Sequence, residues 1–142
     1  MPLDAFFNTF AGNPLDRASD RRGDAKWLAE QLASDESLGV AIWDGRPFVE
    51  PTKDGGMQIA YLPAKLVGEL AGGQERLLFL GLWKDTAVFA VDLEGAANPA
   101  DGGPLQGLGK FEDLRAVALK LPPTEAAIVA TAKQMFEWRR KH

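Results

Sequence analysis

The chain contains two consecutive apolar segments, between residues 76 and 92, that have the length and composition of adjacent β-strands. In the first segment one face carries Leu78, Leu80 and Leu82, and the other carries Leu77, Phe79 and Trp83. The turn at residues 84–85 leads into a second segment with Val88, Phe89 and Val91. Strands that are apolar on both faces need cover on both faces. We therefore predict an α/β (α+β) fold in which this hairpin forms the centre of a mixed β-sheet flanked by helices.

A second hairpin is predicted around the dipeptide Asp44-Gly45. The segments 40–43 (VAIW) and 46–49 (RPFV) flank it, and Asp-Gly suits the positive φ angles of a two-residue hairpin turn. Pro47 lacks the N–H that a strand donates to its neighbour, so we expect the second strand of this hairpin at a sheet edge. A further strand is predicted over residues 57–62.

Helices are predicted before and after these strands. Asp24 has the residue type of an N-cap for a helix through residue 32, and Pro63 can begin a short helix that ends at Gly72-Gly73. Residues 111–118 are predicted to form another short helix. The intervening residues 95–109 are rich in Gly, Pro and Ala, which is typical of a flexible connection.

The most regular helical pattern begins at Thr124 and continues to His142. One half of this helix carries an apolar group of residues, namely Ile128, Val129, Ala132, Met135, Phe136 and Trp138. Arg139 falls on the same half, so the apolar face is expected to end near Trp138. No Gly or Asn cap closes the helix before residue 142. We expect residues 1–123 to form one domain, and residues 124–142 to be a helix that connects it to a further part of a longer protein.

Composition restricts the possible functions. The 142 residues carry a net charge of -4, which gives no general attraction to nucleic acid or to an anionic membrane. No apolar run is long enough to span a bilayer, and the N-terminus lacks the pattern of a signal peptide, so a cytoplasmic location is expected. The chain has no cysteine and only one histidine, His142. Histidine- or cysteine-based catalytic and metal sites therefore cannot be assembled from this chain.

The other polar patterns have simple structural interpretations. The carboxylates Glu30, Asp35, Glu36 and Asp101 are scattered, and solvated roles are favoured for them. The glycine run at 102–109 is followed by Lys110 and Phe111, whereas a Walker loop needs Gly-Lys-Ser/Thr entering a helix. The arginines at 17, 21 and 22 alternate with aspartates, which favours surface ion pairs over a phosphate site. We therefore assign no catalytic, cofactor-binding or metal-ligating residue.

Four segments of the chain together carry a family resemblance: residues 10–17 (FAGNPLDR), 79–92 (FLGL to FAVD), 111–115 (FEDLR) and 132–142 (AKQMFEWRRKH). In this order they resemble the N-terminal part of bacterial NADH pyrophosphatases, which are Nudix hydrolases that cleave the diphosphate of NAD(H). The resemblance implies a reduced, degenerate Nudix-like sandwich as an N-terminal domain. Its signature positions Asn13, Asp16 and Arg17 are candidates for substrate contact. A turn held by an Asp–Arg pair explains these residues more simply.

The resemblance also implies the properties of a parent protein. A four-cysteine zinc ribbon with structural Zn²⁺ and then a catalytic Nudix domain with Mg²⁺ or Mn²⁺ would follow in the same chain. The parent would act as a homodimer that hydrolyses NADH to NMNH and AMP, with removal of NAD caps from RNA as a further implied activity. The Nudix box itself, with its Glu-rich helix that holds the divalent ions, is missing here.

Three hypotheses about function follow. The first is a non-catalytic accessory and assembly domain of an NAD(H) diphosphatase, which needs no cofactor of its own. The second is a stand-alone module that binds a nucleotide or a protein. The third is a hydrolase that uses scattered carboxylates, and it is the least favoured because no acidic array is present.

Overall fold

A computed structural model describes residues 24–72, 76–83, 86–93, 95, 98–101 and 103–141. Within these ranges the chain forms four α-helices and seven β-strands. In chain order they are α1 (Ala25–Ala33), β1 (Leu38–Trp43), β2 (Arg46–Pro51), β3 (Met57–Ile59), β4 (Leu62–Pro63), α2 (Ala64–Ala71), β5 (Leu77–Trp83), β6 (Thr86–Asp92), β7 (Lys110–Phe111), α3 (Leu114–Val117) and α4 (Pro123–Lys141).

The strands form one mixed sheet, as predicted. Its main path runs β3-β2-β1-β6-β5, with β4 paired to β1 and β7 paired to β2. The β1–β6 pair is parallel, and the other pairs are antiparallel. The predicted hairpin of β5 and β6 is present, but only β6 is central, because β5 lies at the end of this path.

The β1–β2 hairpin is confirmed, and its turn has the expected conformation. Asp44 and Gly45 have φ angles of 51° and 79°, as a two-residue hairpin turn requires. The prediction that Pro47 places β2 at an edge is wrong, because β2 pairs with β1, β3 and β7. The carbonyl of Pro47 accepts a hydrogen bond from the N–H of Glu112 at 3.2 Å. The Pro47 nitrogen is on the same side of β2 as this carbonyl, so it also faces Glu112, which lies just after β7. The β7 ladder ends at Phe111 and therefore needs no N–H from Pro47.

The prediction that Leu82 of β5 lies on the same face as Leu78 and Leu80 is also wrong. Leu78 and Leu80 pack beneath the C-terminal helix, whereas Leu82 packs with Phe79 and its neighbours on the opposite face. The register explains this difference: Phe79 lies opposite Phe89, but Gly81 lies opposite Val88, so the ladder shifts by one residue between them. A bulge of this kind reverses the alternation of side chains beyond it. The side chain of Trp83 lies outside the described residues.

Helices cover both faces of the sheet. On one face α4 contributes Ile128, Val129, Ala132 and Phe136 to a core shared with β1, β3, β5 and β6. On the other face α2 packs through Val67 and Ala71, and α1 packs through Trp27, Leu28 and Leu32. The N-cap prediction for α1 is confirmed, since the Asp24 carboxylate accepts a hydrogen bond from the Trp27 N–H at 3.0 Å. Gly72 ends α2 with a φ of 67°, as predicted.

Other boundaries differ slightly from the predictions. Strand 57–62 is interrupted after Ile59 and resumes at Leu62. Residues 110–111 pair with β2, so the predicted helix begins only at Leu114, where Asp113 is the N-cap. The C-terminal helix starts at Pro123, one residue earlier than predicted. The residue before it is also a proline, and proline is well tolerated in the first turn of a helix.

Helix α4 crosses the whole sheet and makes a hydrogen bond at each end strand of the main path. Near its start, the Glu125 carboxylate accepts a hydrogen bond from the Ile59 N–H at 2.8 Å. Near its end, the Arg139 guanidinium donates to the Leu77 carbonyl at 2.8 Å. The helix rises about 21 Å between these two residues, so one helix joins both end strands of the path.

Candidate functional site

A large concave surface runs along β2 and β7, and we call it the β2–β7 groove. Its volume is about 960 Å³. One wall is formed by six consecutive residues, 107–112, and another by residues 49–51 of β2 and Met57 of β3. Asn98, Ala100 and Asp101, from the loop before β7, complete the lining.

Gly109 lets the chain pass directly over β2 to form this wall. A Cβ at this position would lie 2.6 Å from the Val49 carbonyl oxygen, 3.1 Å from Ala60 Cβ and 3.1 Å from a ring carbon of Phe48. The predicted flexible connection is thus wrong at this point, because the loop is packed here. Leu105, within a short 3-10 turn at Gly103–Leu105, is also fully buried.

Replacement of Gly109 by alanine is expected to lower the free energy of unfolding by about 1–2 kcal/mol, because the new methyl group meets backbone as well as side-chain atoms. Chemical denaturation of the variant measures this change. Leu108→Ala, one residue away and 48% exposed in the native protein, serves as the control and should change the free energy by less than about 0.5 kcal/mol. Equal effects of the two substitutions would contradict a close-packing role for Gly109.

Charged side chains in the β2–β7 groove are mainly acidic. Glu50, Asp101 and Glu112 contribute three carboxylates and Lys110 contributes one ammonium group. Among the described residues, no salt bridge involves any of these four side chains. Their carboxylates also do not converge: within the described ranges, no group of three or more His, Cys, Asp or Glu residues could hold a metal ion.

A neighbouring turn has its own electrostatic feature. At residues 52–56, the Thr52 hydroxyl donates a hydrogen bond to the Asp54 carboxylate, and the Gly56 N–H donates to the same oxygen at 3.2 Å. These two donors, with Thr52 the stronger influence, lower the pKa of Asp54 below its usual range. Asp54 does not line the β2–β7 groove, so this shift is a property of the turn.

A second concave surface lies at the end of α4, and we call it the Trp138 pocket. It has a volume of about 350 Å³ and is lined by Leu78, Gln134, Met135, Trp138 and Arg139. Trp138 itself is 64% exposed. The apolar face of α4 thus ends near Trp138, as predicted, because the helix reaches the last strand of the path at this position. The result is a large aromatic side chain on the surface beside an apolar pocket.

Most of the described residues that the sequence singled out line neither surface. Asn13, Asp16 and Arg17, together with the arginines at 21 and 22 and His142, lie outside the described residues. Glu30, Asp35 and Glu36 are exposed near the end of α1. Trp27 packs edge-on against Phe79 and Trp43 against Phe111, with ring centroids 5.5 and 5.7 Å apart. These two tryptophans therefore serve in packing, and only Asp101 among the singled-out carboxylates lines the β2–β7 groove.

Comparison with protein-family models identifies the family of this chain. Residues 36–138 match the model of the NADH pyrophosphatase-like rudimentary NUDIX domain. This range runs from just before β1 to the exposed tryptophan of α4 and includes most of the chain. The chain belongs to this family. The match contains the resembling segments at 79–92 and 111–115, whereas the signature at 10–17 lies outside it. Comparison with curated proteins gives no match.

The rudimentary NUDIX domain has the mixed sheet and flanking helices that the resemblance implied. In the described part of the chain, no helix is long and apolar enough to cross a membrane. Sequence reasoning missed Glu125, which is buried with 6% exposure, and the close approach of Gly109. Neither lies in a recognisable motif, and both depend on contacts with distant strands.

Proposed function

We propose that this rudimentary NUDIX domain is a non-catalytic accessory and assembly domain of an NAD(H) diphosphatase. The observation that carries the proposal is the family match over residues 36–138. In this proposal the domain is attached to a zinc ribbon and a catalytic Nudix domain, and the parent protein is a cytoplasmic homodimer. The parent would hydrolyse NADH to NMNH and AMP, and NAD-capped RNA is a further candidate substrate.

The Trp138 pocket supports an assembly role. Exposed aromatic residues beside an apolar pocket are typical of surfaces that bind other protein elements. Trp138 is 64% exposed, and it lies three residues before the end of α4 at Lys141. A domain attached after α4 would begin next to this pocket. Packing of the attached domain on Trp138 would give the accessory domain a fixed position in the parent protein.

The metals of the parent would be held elsewhere. The described carboxylates do not group into a metal site, and the chain has no cysteine for structural zinc. The described part of the chain therefore does not fit Mg²⁺, Mn²⁺ or Zn²⁺. We assign those ions to the proposed zinc ribbon and catalytic domain.

The purified 142-residue protein is expected to hydrolyse no NADH in the presence of Mg²⁺ or Mn²⁺, because its described side chains do not converge on a divalent ion. Chromatographic measurement of NMNH and AMP, with a metal-free reaction as the control, tests this expectation. Metal-dependent product formation would instead support the third hypothesis, in which the chain itself is a hydrolase.

The coding sequence after residue 142 tests the accessory role. Paired Cys-x-x-Cys motifs followed by the Glu-rich Nudix spacing would support it. An immediate stop codon would favour the second candidate function, a stand-alone binding module. The β2–β7 groove is the observation that favours this alternative, because its volume is sufficient for a ligand or a peptide segment.

A further inference from the structure

Strand β7 supplies side chains that line the β2–β7 groove, and it also has backbone groups that do not pair with β2. The N–H of Glu112 donates to β2, and the register places Phe111 opposite Phe48. Because backbone groups alternate in direction along a strand, the N–H and C=O of Phe111 point away from β2. An extended peptide beside β7 could pair with these two groups, as in strand addition to a sheet edge.

The side chains of the β2–β7 groove combine an apolar lining with acidic charge. Pro51, Met57, Leu108 and Phe111 provide apolar surface, and Leu108 is 48% exposed. Three carboxylates and one ammonium group leave a local excess of negative charge. Such a surface attracts cations and repels phosphates. Because the carboxylates do not converge on one point, the complementary ligand carries several separated positive charges.

We propose that the β2–β7 groove binds an extended, cationic polypeptide segment of a protein partner. Apolar residues of the segment contact Leu108 and Phe111, and its Lys or Arg side chains alternate with them to reach Glu50, Asp101 and Glu112. The backbone of the segment pairs with Phe111. This inference does not depend on the accessory role, since it rests only on the shape, charge and strand direction of the groove.

The probe for this proposal is a fluorescent seven-residue peptide that alternates lysine and valine, with binding measured by fluorescence anisotropy. The wild-type protein should bind it, and should not bind a peptide that alternates glutamate and valine. Two methylated versions of the lysine–valine peptide, one methylated at the valine nitrogens and one at the lysine nitrogens, test the strand pairing. One of the two should bind at least fivefold more weakly, because alternate N–H groups of an extended peptide point to opposite sides and only one set can donate to β7. Unchanged binding of both methylated peptides would overturn the extended pairing.

Two triple variants separate the groove from overall charge. The first triple variant removes the three carboxylates of the groove and should bind the lysine–valine peptide at least tenfold more weakly. Its substitutions are Glu50→Gln, Asp101→Asn and Glu112→Gln. Glu30→Gln with Asp35→Asn and Glu36→Gln removes the same number of charges from exposed positions near α1, and should change binding less than twofold. Equal losses in the two triple variants, or no binding by the wild-type protein, would overturn the proposal.

A gain of binding provides evidence that a misfolded variant could not produce. Lys110→Glu increases the negative charge of the β2–β7 groove, and it should tighten binding of the lysine–valine peptide at least threefold. Unchanged or weaker binding by a folded Lys110→Glu protein would contradict the proposal. Displacement of the peptide by NADH, measured in the same assay, would instead identify the groove as a nucleotide site.

Discussion

Replacement of Gly39 by alanine is expected to lower the free energy of unfolding by about 3 kcal/mol, at the upper end of the usual cost of overpacking. Gly39 lies in β1, where α2 packs directly on the strand backbone. A Cβ at this position would overlap Val67 Cγ2, lie 2.9 Å from Val67 Cβ and lie 3.4 Å from the Leu62 carbonyl oxygen. Val67 is fully buried, so its side chain has little room to move. Urea denaturation followed by circular dichroism measures the change.

A double variant tests the proposed cause of this loss. Val67→Ala removes the methyl group that meets the new Cβ. The loss in free energy of unfolding of the Gly39→Ala/Val67→Ala double variant should therefore be at least about 1 kcal/mol smaller than the sum of the losses of the two single variants. Gly68→Ala is the matched control. The three atoms nearest to its Cβ would be Leu32 side-chain atoms, at 3.0 to 3.4 Å, and alanine is the better helix former. Additive single effects would exclude direct contact between Gly39 and Val67 as the cause.

Replacement of Glu125 by alanine is expected to lower the free energy of unfolding by about 2–3 kcal/mol. The Ile59 N–H donates to this carboxylate at 2.8 Å, and Glu125 is 6% exposed. Without the carboxylate, this backbone donor would be left buried without its acceptor, which costs about 1–3 kcal/mol. The lost packing of the side chain adds to this cost. Thermal and urea denaturation of the variant test the expectation.

Two controls separate the hydrogen bond from other effects of the substitution. Glu125→Gln keeps an amide oxygen that can accept from Ile59, so it should cost at least about 1 kcal/mol less than Glu125→Ala. Glu137→Ala, on an exposed position of the same helix, should change the free energy by less than about 0.5 kcal/mol. If Glu125→Gln is as destabilising as Glu125→Ala, the contact with Ile59 does not account for the stability.

The elements predicted correctly from the sequence are those set by local chemistry. Asp44 and Gly45 form the hairpin turn, and Asp24 caps α1, because each needs only residues within a few positions. The apolar periodicity also identified the face of α4 that is buried. The apolar composition of β5 and β6 also correctly predicted that helices flank both faces of the sheet.

The predictions that failed concerned contacts between distant parts of the chain. The edge position of β2 was inferred from Pro47 alone, whereas the placement of β7 decides it. The side of the sheet that Leu82 faces depends on a one-residue shift against β6. The β2–β7 groove was not predicted, because its lining comes from residues 49–57 and 98–112, which are far apart in the sequence.

By itself, the amino-acid sequence determined the fold class, the main turns and caps, and the lack of any cysteine and of any histidine before His142. Local conformational preferences and apolar periodicity are sufficient for these features. Only the tertiary structure decided which strands lie at the edges, how α4 reaches both of them, and where the acidic groove opens. These features depend on register and on close approach between distant segments, and a change of one residue in register reverses the direction of every following side chain.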